Sequence, residues 1–462
     1  MTLVDASAST AFAALRPSMP TCRGSGVTQH PPGGRRVPEP SAATRLGSID
    51  LTPHAQGEKR SGAKLPKPLF SFGVIADVQY ADQDDGWNYA KEFRRYYRGG
   101  LTKLKRAVDV WLRDETHRFA LQLGDVIDGS NKGQGKSDAA LSSVKAEVDR
   151  LAASLPLGVL NSLGNHELYN FPKQRWARKL DCSNLAKAVT LRPPAASSRS
   201  AVAHPTPLPL ENLAETNDDV DVTGPARAGS AGPAADESTP SERKGEDYEC
   251  FYYSFCPEDS YRFIALDSYD VNAILEESDA HVRASGNKAE AESDGGSEGG
   301  TEILSRKNPN ENKNNSSGME GLERRFVQYN GGVGAKQLLW LEDQLTEASR
   351  AGQRVIGFGH VPIHPAEPSE HVLLWNYEDV LRVMHKFDCV AMFLSGHRHR
   401  ETYVLDKKGI HHVSLAAALE APPDQARFLG GFVDVYADCV ELRGYGVVES
   451  RTLAFTSLAA VL

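Results

Sequence analysis

Six short apolar runs recur along the chain, and each gives way abruptly to polar residues: LFSFGVIADVQ, RFALQLGDVID, LGVLNSLGNHE, YRFIALDSYD, RVIGFGHVPIH and CVAMFLSGHRH. Continuous runs of this length, rich in Val, Ile, Phe and Leu, predict strands buried on both faces. Between several of them, residues 101–115, 138–154, 336–351 and 377–387 carry apolar positions at helical spacing. That order predicts an α/β sandwich. Towards the end, HHVSLAAALEAPP and GGFVDVYADCVELRGYGV read as further strands, with Phe432 to Tyr436 and Val440 to Gly444 paired as a hairpin through Ala437 and Asp438.

Three stretches break the pattern. Residues 1–68 are rich in Ser, Ala, Pro, Gly and Arg, hold few acids and show no sustained apolar period, so no independent fold is expected there. The same composition resembles an organelle transit peptide, and a disordered extension explains it equally well. Residues 192–246 and 275–315 read as disordered low-complexity insertions into a catalytic domain spanning 69–456.

Composition narrows the function classes. The 462 residues carry a formal charge of −9 and no long basic stripe, which excludes nucleic acid and an anionic membrane surface as natural partners. No apolar run approaches the roughly 20 residues that span a bilayer. The six cysteines, Cys22, Cys182, Cys250, Cys256, Cys389 and Cys439, form no CxxC pair and no regular framework, so neither thiolate zinc nor a disulfide scaffold is expected. Cys250 and Cys256 flank one apparent strand and could pair, but reduced thiols are the simpler reading.

Candidate chemistry gathers at the ends of the apolar runs. Asp77 and Gln79 end the first, Asp125 the second, Asn165 and His166 the third, His360 the fifth, and His397 with His399 the sixth. In open α/β folds ligands collect at the carboxyl ends of strands. Carboxylate, carboxamide and imidazole donors suit manganese, magnesium, iron or zinc. Asp-x-Gln and His-x-His place paired side chains on one face of extended backbone. Any one of these patterns alone could be a turn or a solvated loop; all of them in order, each after a buried run, point to a metal site.

In that order, ADVQ, GDVIDG, GNHE, GHVPIH and GHRH resemble the calcineurin-like metallophosphoesterases, whose pattern is D-x-[HQ], GD, GNH[ED], a lone GH and GH-x-H. Gln79 stands where most of that superfamily has His. The stretches ADVQYADQDDGWNYAKEFRRYYRGGL and YNGGVGAKQLLWLEDQL are similar to the manganese-dependent ADP-ribose/CDP-alcohol diphosphatases.

The resemblance implies a metallophosphoesterase sandwich of two mixed β-sheets flanked by helices. It implies one ion held by Asp77, Gln79, Asp125 and His399, and a second held by Asp125, Asn165, His360 and His397, with Asp125 bridging. His166 takes the place of the family's catalytic histidine beside the ions. Mn2+ is the implied metal, with Mg2+, Fe or Zn2+ as other occupants, and Gln79 as an oxygen donor should favour manganese over zinc. The implied reaction splits the pyrophosphate bond of small nucleoside diphosphate substrates by metal-activated hydroxide: ADP-ribose to AMP and ribose 5-phosphate, CDP-alcohols to CMP and phosphoalcohol. A monomer in the cytoplasm is expected, with plastid or mitochondrion as the alternative if residues 1–68 are a transit peptide.

The donor set by itself does not separate this reaction from a phosphomonoesterase, protein phosphatase or cyclic nucleotide phosphodiesterase. A non-catalytic scaffold on the fold would lack a ligand or His166, and here every position is filled. For substrate contacts, Trp87, Tyr89, Arg94 and Arg95 stand out in a segment where aromatics alternate with arginines, a mixture suited to stacking a base and pairing phosphate oxygens, although single aromatics there also serve as loop anchors. Glu167 reads as an orienting group or as half of a salt bridge. His364 and His371 lie near the motifs without a spacing that demands a role, His385, His411 and His412 read as structural or surface residues, and Asp267 ends a strand with no ligand role.

Overall fold

The computed structural model describes residues 67–88, 90–179, 251–274, 299–366, 370–423 and 429–455. The expected N-terminal extension up to residue 66, the insertion at 192–246, Tyr89 and Cys250 lie outside these residues. Up to residue 179 the elements are β1 (Phe70–Ile75), β2 (Gly86–Trp87), β3 (Arg94–Arg95), α1 (Tyr97–Trp111), β4 (His117–Gln122), α2 (Ser130–Gly133), α3 (Ser137–Ala152), β5 (Val159–Asn161), α4 (Asn165–Asn170) and α5 (Lys173–Lys179). From residue 251 onward come β6 (Tyr253–Glu258), β7 (Tyr261–Ala265), α6 (Gly300–Lys307), α7 (Ala335–Arg350), β8 (Arg354–Phe358), α8 (Tyr377–Met384), β9 (Val390–Ser395), β10 (Thr402–Leu405), β11 (His411–Ser414), β12 (Gly430–Val435), β13 (Cys439–Tyr445) and β14 (Arg451–Ala454).

All six apolar runs are strands, and they divide between two six-stranded sheets in the orders β14-β13-β12-β1-β4-β5 and β10-β11-β9-β8-β7-β6. Each sheet mixes parallel and antiparallel pairs. β1, β4 and β5 run parallel in the first, and β7, β8, β9 and β11 in the second. The sheets face one another across an aromatic layer. Phe72 meets Phe263 edge-on at 5.3 Å, Phe119 meets Phe255 and Phe263 at 5.2 and 5.1 Å, and Phe70 meets Tyr261 at 5.5 Å between ring centroids. Strands covered on the other face as well must be apolar at every position, which is why the runs are continuous rather than alternating.

On the outer face of the first sheet, Trp111 of α1 lies so close over β1 that a Cβ at Gly73 would sit 2.5 Å from its Cε2. The helix begins at Tyr97 and stops at Trp111, four residues earlier at each end than its polar and apolar spacing implied. On the second sheet a Cβ at Gly357 of β8 would sit 2.9 Å from Phe393 Cδ2 and 3.3 Å from Met384 Cε of α8. The C-terminal hairpin pairs Val435 with Val440, and Tyr436 N–H donates to Cys439 O.

The second interruption is narrower than its composition implied. Residues 275–298 lie outside the described residues, but 300–307 form α6 and the following loop is tied down by Asn308, fully buried, whose amide nitrogen donates to the carbonyls of Asn315 and Phe326. Asparagine side chains can replace a regular backbone ladder with local bonds of this kind, which a reading based on composition scores as disorder. Cys256 and Cys389 are free thiols. Among the described residues no helix is long and apolar enough to cross a membrane.

Candidate metal centre

Every strand-end donor singled out in the sequence sits just beyond its strand, and the chain turns sharply there. Asp77, Gln79, Asp125, His397 and His399 all hold left-handed backbone, with φ of 51°, 39°, 57°, 66° and 64°. Non-glycine residues rarely adopt this region, and they do so at sites where side-chain aim matters more than backbone comfort. Two glycines leave room for the turns. A Cβ at Gly164 would strike Asp125 Oδ1 at 2.1 Å, and one at Gly124 would strike His360 Nδ1 at 2.3 Å.

The side chains converge on Asp125. Gln79 Nε2 donates to its Oδ2 at 3.0 Å, His360 Nε2 lies 3.3 Å from the same oxygen, and His166 N–H donates to Oδ1 at 2.9 Å. His397 Nδ1 stands 3.1 Å from His360 Nε2. On the other side, His399 Nε2 is 2.9 Å from Gln79 Nε2 and 3.5 Å from Asp77 Oδ1. Two donor groups result, Asp125 with His360 and His397, and Asp77 with Asp125 and His399, each with ligand atoms within 4.8 Å of one another. They share Asp125. Asn165 borders the same cavity, its Oδ1 accepting from Tyr269 Oη at 3.2 Å.

Each histidine is aimed by the bond its other nitrogen makes. His360 Nδ1 donates to Leu123 O (2.7 Å), His397 Nε2 to Asn330 Oδ1 (2.8 Å) and His399 Nδ1 to Glu420 Oε1 (2.8 Å). That arrangement fixes the tautomer and turns the free lone pair towards the centre. Among the described residues Glu167 makes no salt bridge. Its carboxylate accepts the backbone N–H groups of Asp125 and Val126 (both 2.7 Å) and of Gly164 (2.8 Å), so it braces the turn that carries Asp125.

The donor set fits divalent cations. Gln79 Oε1 is buried without a hydrogen-bond partner. Two imidazole nitrogens 3.1 Å apart, both close to one carboxylate, make an arrangement that a positive charge between them relieves. Burial works against charge on His360, yet the Asp125 carboxylate raises its pKa to about 9; burial likewise opposes His399, while its bonds to Asp77 and Glu420 carry it to about 10. These are carboxylates drawing in protons where a metal would supply the charge. His397, pressed by burial and by His360, is pushed the other way.

His166 stands just beside this set, its Nε2 4.0 Å from Asp125 Oδ2. Nδ1 accepts from Gly129 N–H at 2.8 Å and lies 3.3 Å from Asp128 Oδ2. Burial opposes its protonation, but the charges of Asp125 and Asp128 prevail and raise its pKa.

A cavity of about 870 Å³ opens over the centre, with Arg95, Arg324, Arg398 and Arg400 in its wall. Arg400 stacks on Phe93 with its guanidinium 3.6 Å from the ring centroid, and Arg95 reaches Glu420 at 3.7 Å. His371 lines this cavity too. Of the tentative substrate contacts only Arg95 does so. Arg94 borders an adjoining pocket of about 510 Å³, Trp87 stands 53% exposed on β2 beneath Arg94 at 5.8 Å, and Tyr89 is outside the described residues. Asn330, Glu420, Asp128 and Tyr269 have no counterpart in the sequence reading. Asn330 lies in YNGG and Asp128 in GDVIDG, both quoted for likeness, and a lone amide or acid in a turn carries no spacing that marks it. Asp267 pairs with Lys173 at 2.5 Å, away from ligand duty.

An α/β sandwich whose strand ends gather oxygen and nitrogen donors around one shared carboxylate has the build of a dimetal phosphoesterase. No family model matches the chain. It is 35% identical over 391 residues to an Arabidopsis thaliana protein, manganese-dependent ADP-ribose/CDP-alcohol diphosphatase, covering 84% of this chain and 98% of that one. It is 33% identical to the Homo sapiens protein of the same name, covering 84% of this chain and 93% of that one. Among solved structures, a dimetal phosphatase from Danio rerio superposes with a TM-score of 0.62 at 32% identity, covering 84% of this chain and all of the other. The chain belongs to the manganese-dependent ADP-ribose/CDP-alcohol diphosphatase family.

Proposed function

We propose that the protein hydrolyses the pyrophosphate bond of nucleoside diphosphate derivatives, ADP-ribose and CDP-alcohols among them, with two manganese ions. The observation that carries this is the pair of donor groups sharing Asp125, at the floor of a cavity with arginines in its wall. One ion belongs to Asp77, Gln79, Asp125 and His399, the other to Asp125, Asn165, His360 and His397. When bound, such a pair acidifies water and neutralises charge building on the attacked phosphoryl group.

The chain's own residues do the rest. Arg95, Arg398 and Arg400 offer guanidinium groups to the phosphate oxygens not held at the centre. The Arg400 and Phe93 pair gives a flat face beside them on which a base can stack. His166 is held by Gly129 with its Nε2 carrying a proton towards Asp125. For proton transfer the ring takes a second proton on Nδ1, which turns from Gly129 N–H to Asp128 Oδ2 3.3 Å away, and Nε2–H then donates to the departing phosphate oxygen. Trp87 and Arg94, further out, are contacts for the part of the substrate that projects beyond the centre.

Metal-stripped protein with manganese, magnesium or zinc restored, offered ADP-ribose, CDP-choline and p-nitrophenyl phosphate, tests this reading. Manganese should restore release of AMP and CMP, and His166→Ala should lower the rate by about 10²- to 10⁴-fold, the usual contribution of a positioned proton donor. Cleavage of the monoester alone would overturn the substrate class, and full activity with zinc alone would overturn the metal.

A further inference from the structure

A separate set of metal-binding side chains converges away from the strand-end centre. His364, Asp406 and His412 each bring a ligand atom within 4.8 Å of the others. They come from three segments. His364 follows β8, four residues after His360; Asp406 lies in the turn between β10 and β11; His412 is the second residue of β11. Side chains of β11 alternate in direction. His411 turns towards the first sheet, its Nε2 2.9 Å from Ala454 O of β14, so His412 points to the outer face of the second sheet. Asp406 Oδ2 links it there to His385, at the C-terminal cap of α8. Of the strand-end donors only His360 shares a segment with this cluster; the others follow β1, β4, β5 and β9.

The cluster is built rather than incidental. Asp406 Oδ1 is occupied by the N–H groups of Lys408 (2.8 Å) and Ile410 (2.9 Å), which leaves Oδ2 as a hub facing His385 Nε2 at 2.9 Å and His412 Nε2 at 3.2 Å. The rings of His364 and His412 stand 4.7 Å apart between centroids. A closed network of hydrogen bonds would use every buried nitrogen. His412 is only 2% exposed, and its Nδ1 has no hydrogen-bond partner. The network is therefore not closed, and an ion shared by His412 Nε2 and Asp406 Oδ2 would take the place of the proton between them.

We propose that His364, Asp406 and His412 form a third metal site, with His385 beside its open position, taking a zinc-class divalent ion. Two imidazoles and one carboxylate are a borderline donor set. It favours zinc or cobalt, and it holds manganese weakly because manganese stands at the low end of the divalent affinity order. The strand-end centre, richer in oxygen donors, has the opposite bias. The ion displaces the proton shared by His412 Nε2 and Asp406 Oδ2, a bond of 3.2 Å. In return it pins the segment from His360 to His364 against β11, so it holds in place the backbone that carries a strand-end donor.

Metal content tests the site independently of any activity, so its failure is separable from failure of the hydrolase reading. The full chain is saturated with manganese, equilibrated with zinc, and its metals counted by elemental analysis. Wild type should retain one zinc per chain more than His364→Ala, and His364→Phe, which keeps a ring against His412, should behave as the alanine variant does. In a His397→Ala background, which cripples the strand-end centre, that zinc should persist, and cobalt in its place should give the strong visible absorption of a four-coordinate site. Equal zinc in wild type and both His364 variants, or zinc lost only with His397→Ala, would overturn the proposal and leave the cluster as a hydrogen-bonding network.

Discussion

The φ values at Asp77, Gln79, Asp125, His397 and His399 are a cost concentrated in one place. Left-handed backbone disfavours a residue with a Cβ by roughly 1–2 kcal/mol, whereas glycine bears almost none of it. Position 399, at the cavity edge with φ 64°, isolates the effect. Both His399→Gly and His399→Ala lose the imidazole, yet the glycine variant should be the more stable by about 1 kcal/mol in urea titration of the metal-free protein. Coincident midpoints would show that the turn is not strained. The same residues explain what could be read in advance. A donor at the end of a buried run is legible, because the run fixes its position and the motif its direction. Asn330 and Glu420, which aim His397 and His399, come from turns brought close only by the folding of the second sheet, so nothing local marks them. Glu167 was legible as a participant but not as a brace, since its partners are backbone N–H groups that no side-chain pattern reveals.

Among elements, the junction of β1, α1 and β4 shows how a buried histidine can be part of the frame. His117 Nε2 accepts from Gly73 N–H at 2.9 Å, and its Nδ1 lies 3.0 Å from Trp111 O, so the neutral ring satisfies both neighbours. Protonation would put a hydrogen where Gly73 already donates. Burial lowers its pKa below the ordinary value. The unfolded chain, with an ordinary histidine near 6.5, then binds a proton that the native chain does not. Stability from this group is complete above about pH 6.5 and is lost as pH falls from there towards the depressed native value, at up to about 1.4 kcal/mol per pH unit. Urea midpoints at pH 7.5 and 5.5 should therefore separate wild type from His117→Gln, with the wild type falling more steeply. Parallel losses in the two chains would mean that His117 titrates normally. At this scale the apolar runs foretold every strand they contain. The ends of α1 lie four residues before those its spacing implied, and its last residue, Trp111, packs over Gly73, a contact between residues far apart in sequence that no local pattern carries.

For the molecule as a whole, the centre draws on both sheets. Asp77, Asp125 and Asn165 follow strands of the first, and His360, His397 and His399 follow strands of the second. Metals there would join the two halves of the sandwich at one edge. Removing them leaves Asp125 crowded by imidazoles and leaves Gln79 Oε1 buried and unpartnered, a condition that favours opening of that edge. Binding to the native state alone stabilises it by RT ln(1 + [L]/Kd), about 2.7 kcal/mol at a hundred times Kd. Manganese titrated into the metal-free protein should thus raise the thermal midpoint in proportion to the logarithm of its concentration. His360→Ala, which empties one side of the shared carboxylate, should flatten that rise more than a substitution at exposed Trp87. A midpoint indifferent to manganese in the wild type would mean that the ions do not bridge the sheets. A rise that survives in His360→Ala unchanged would place the stabilising ion elsewhere. Zinc added on top of saturating manganese should give a further rise that depends on His364 and not on His360, so the joining of the sheets and the pinning of the segment after β8 can be read as separate contributions in one melting series.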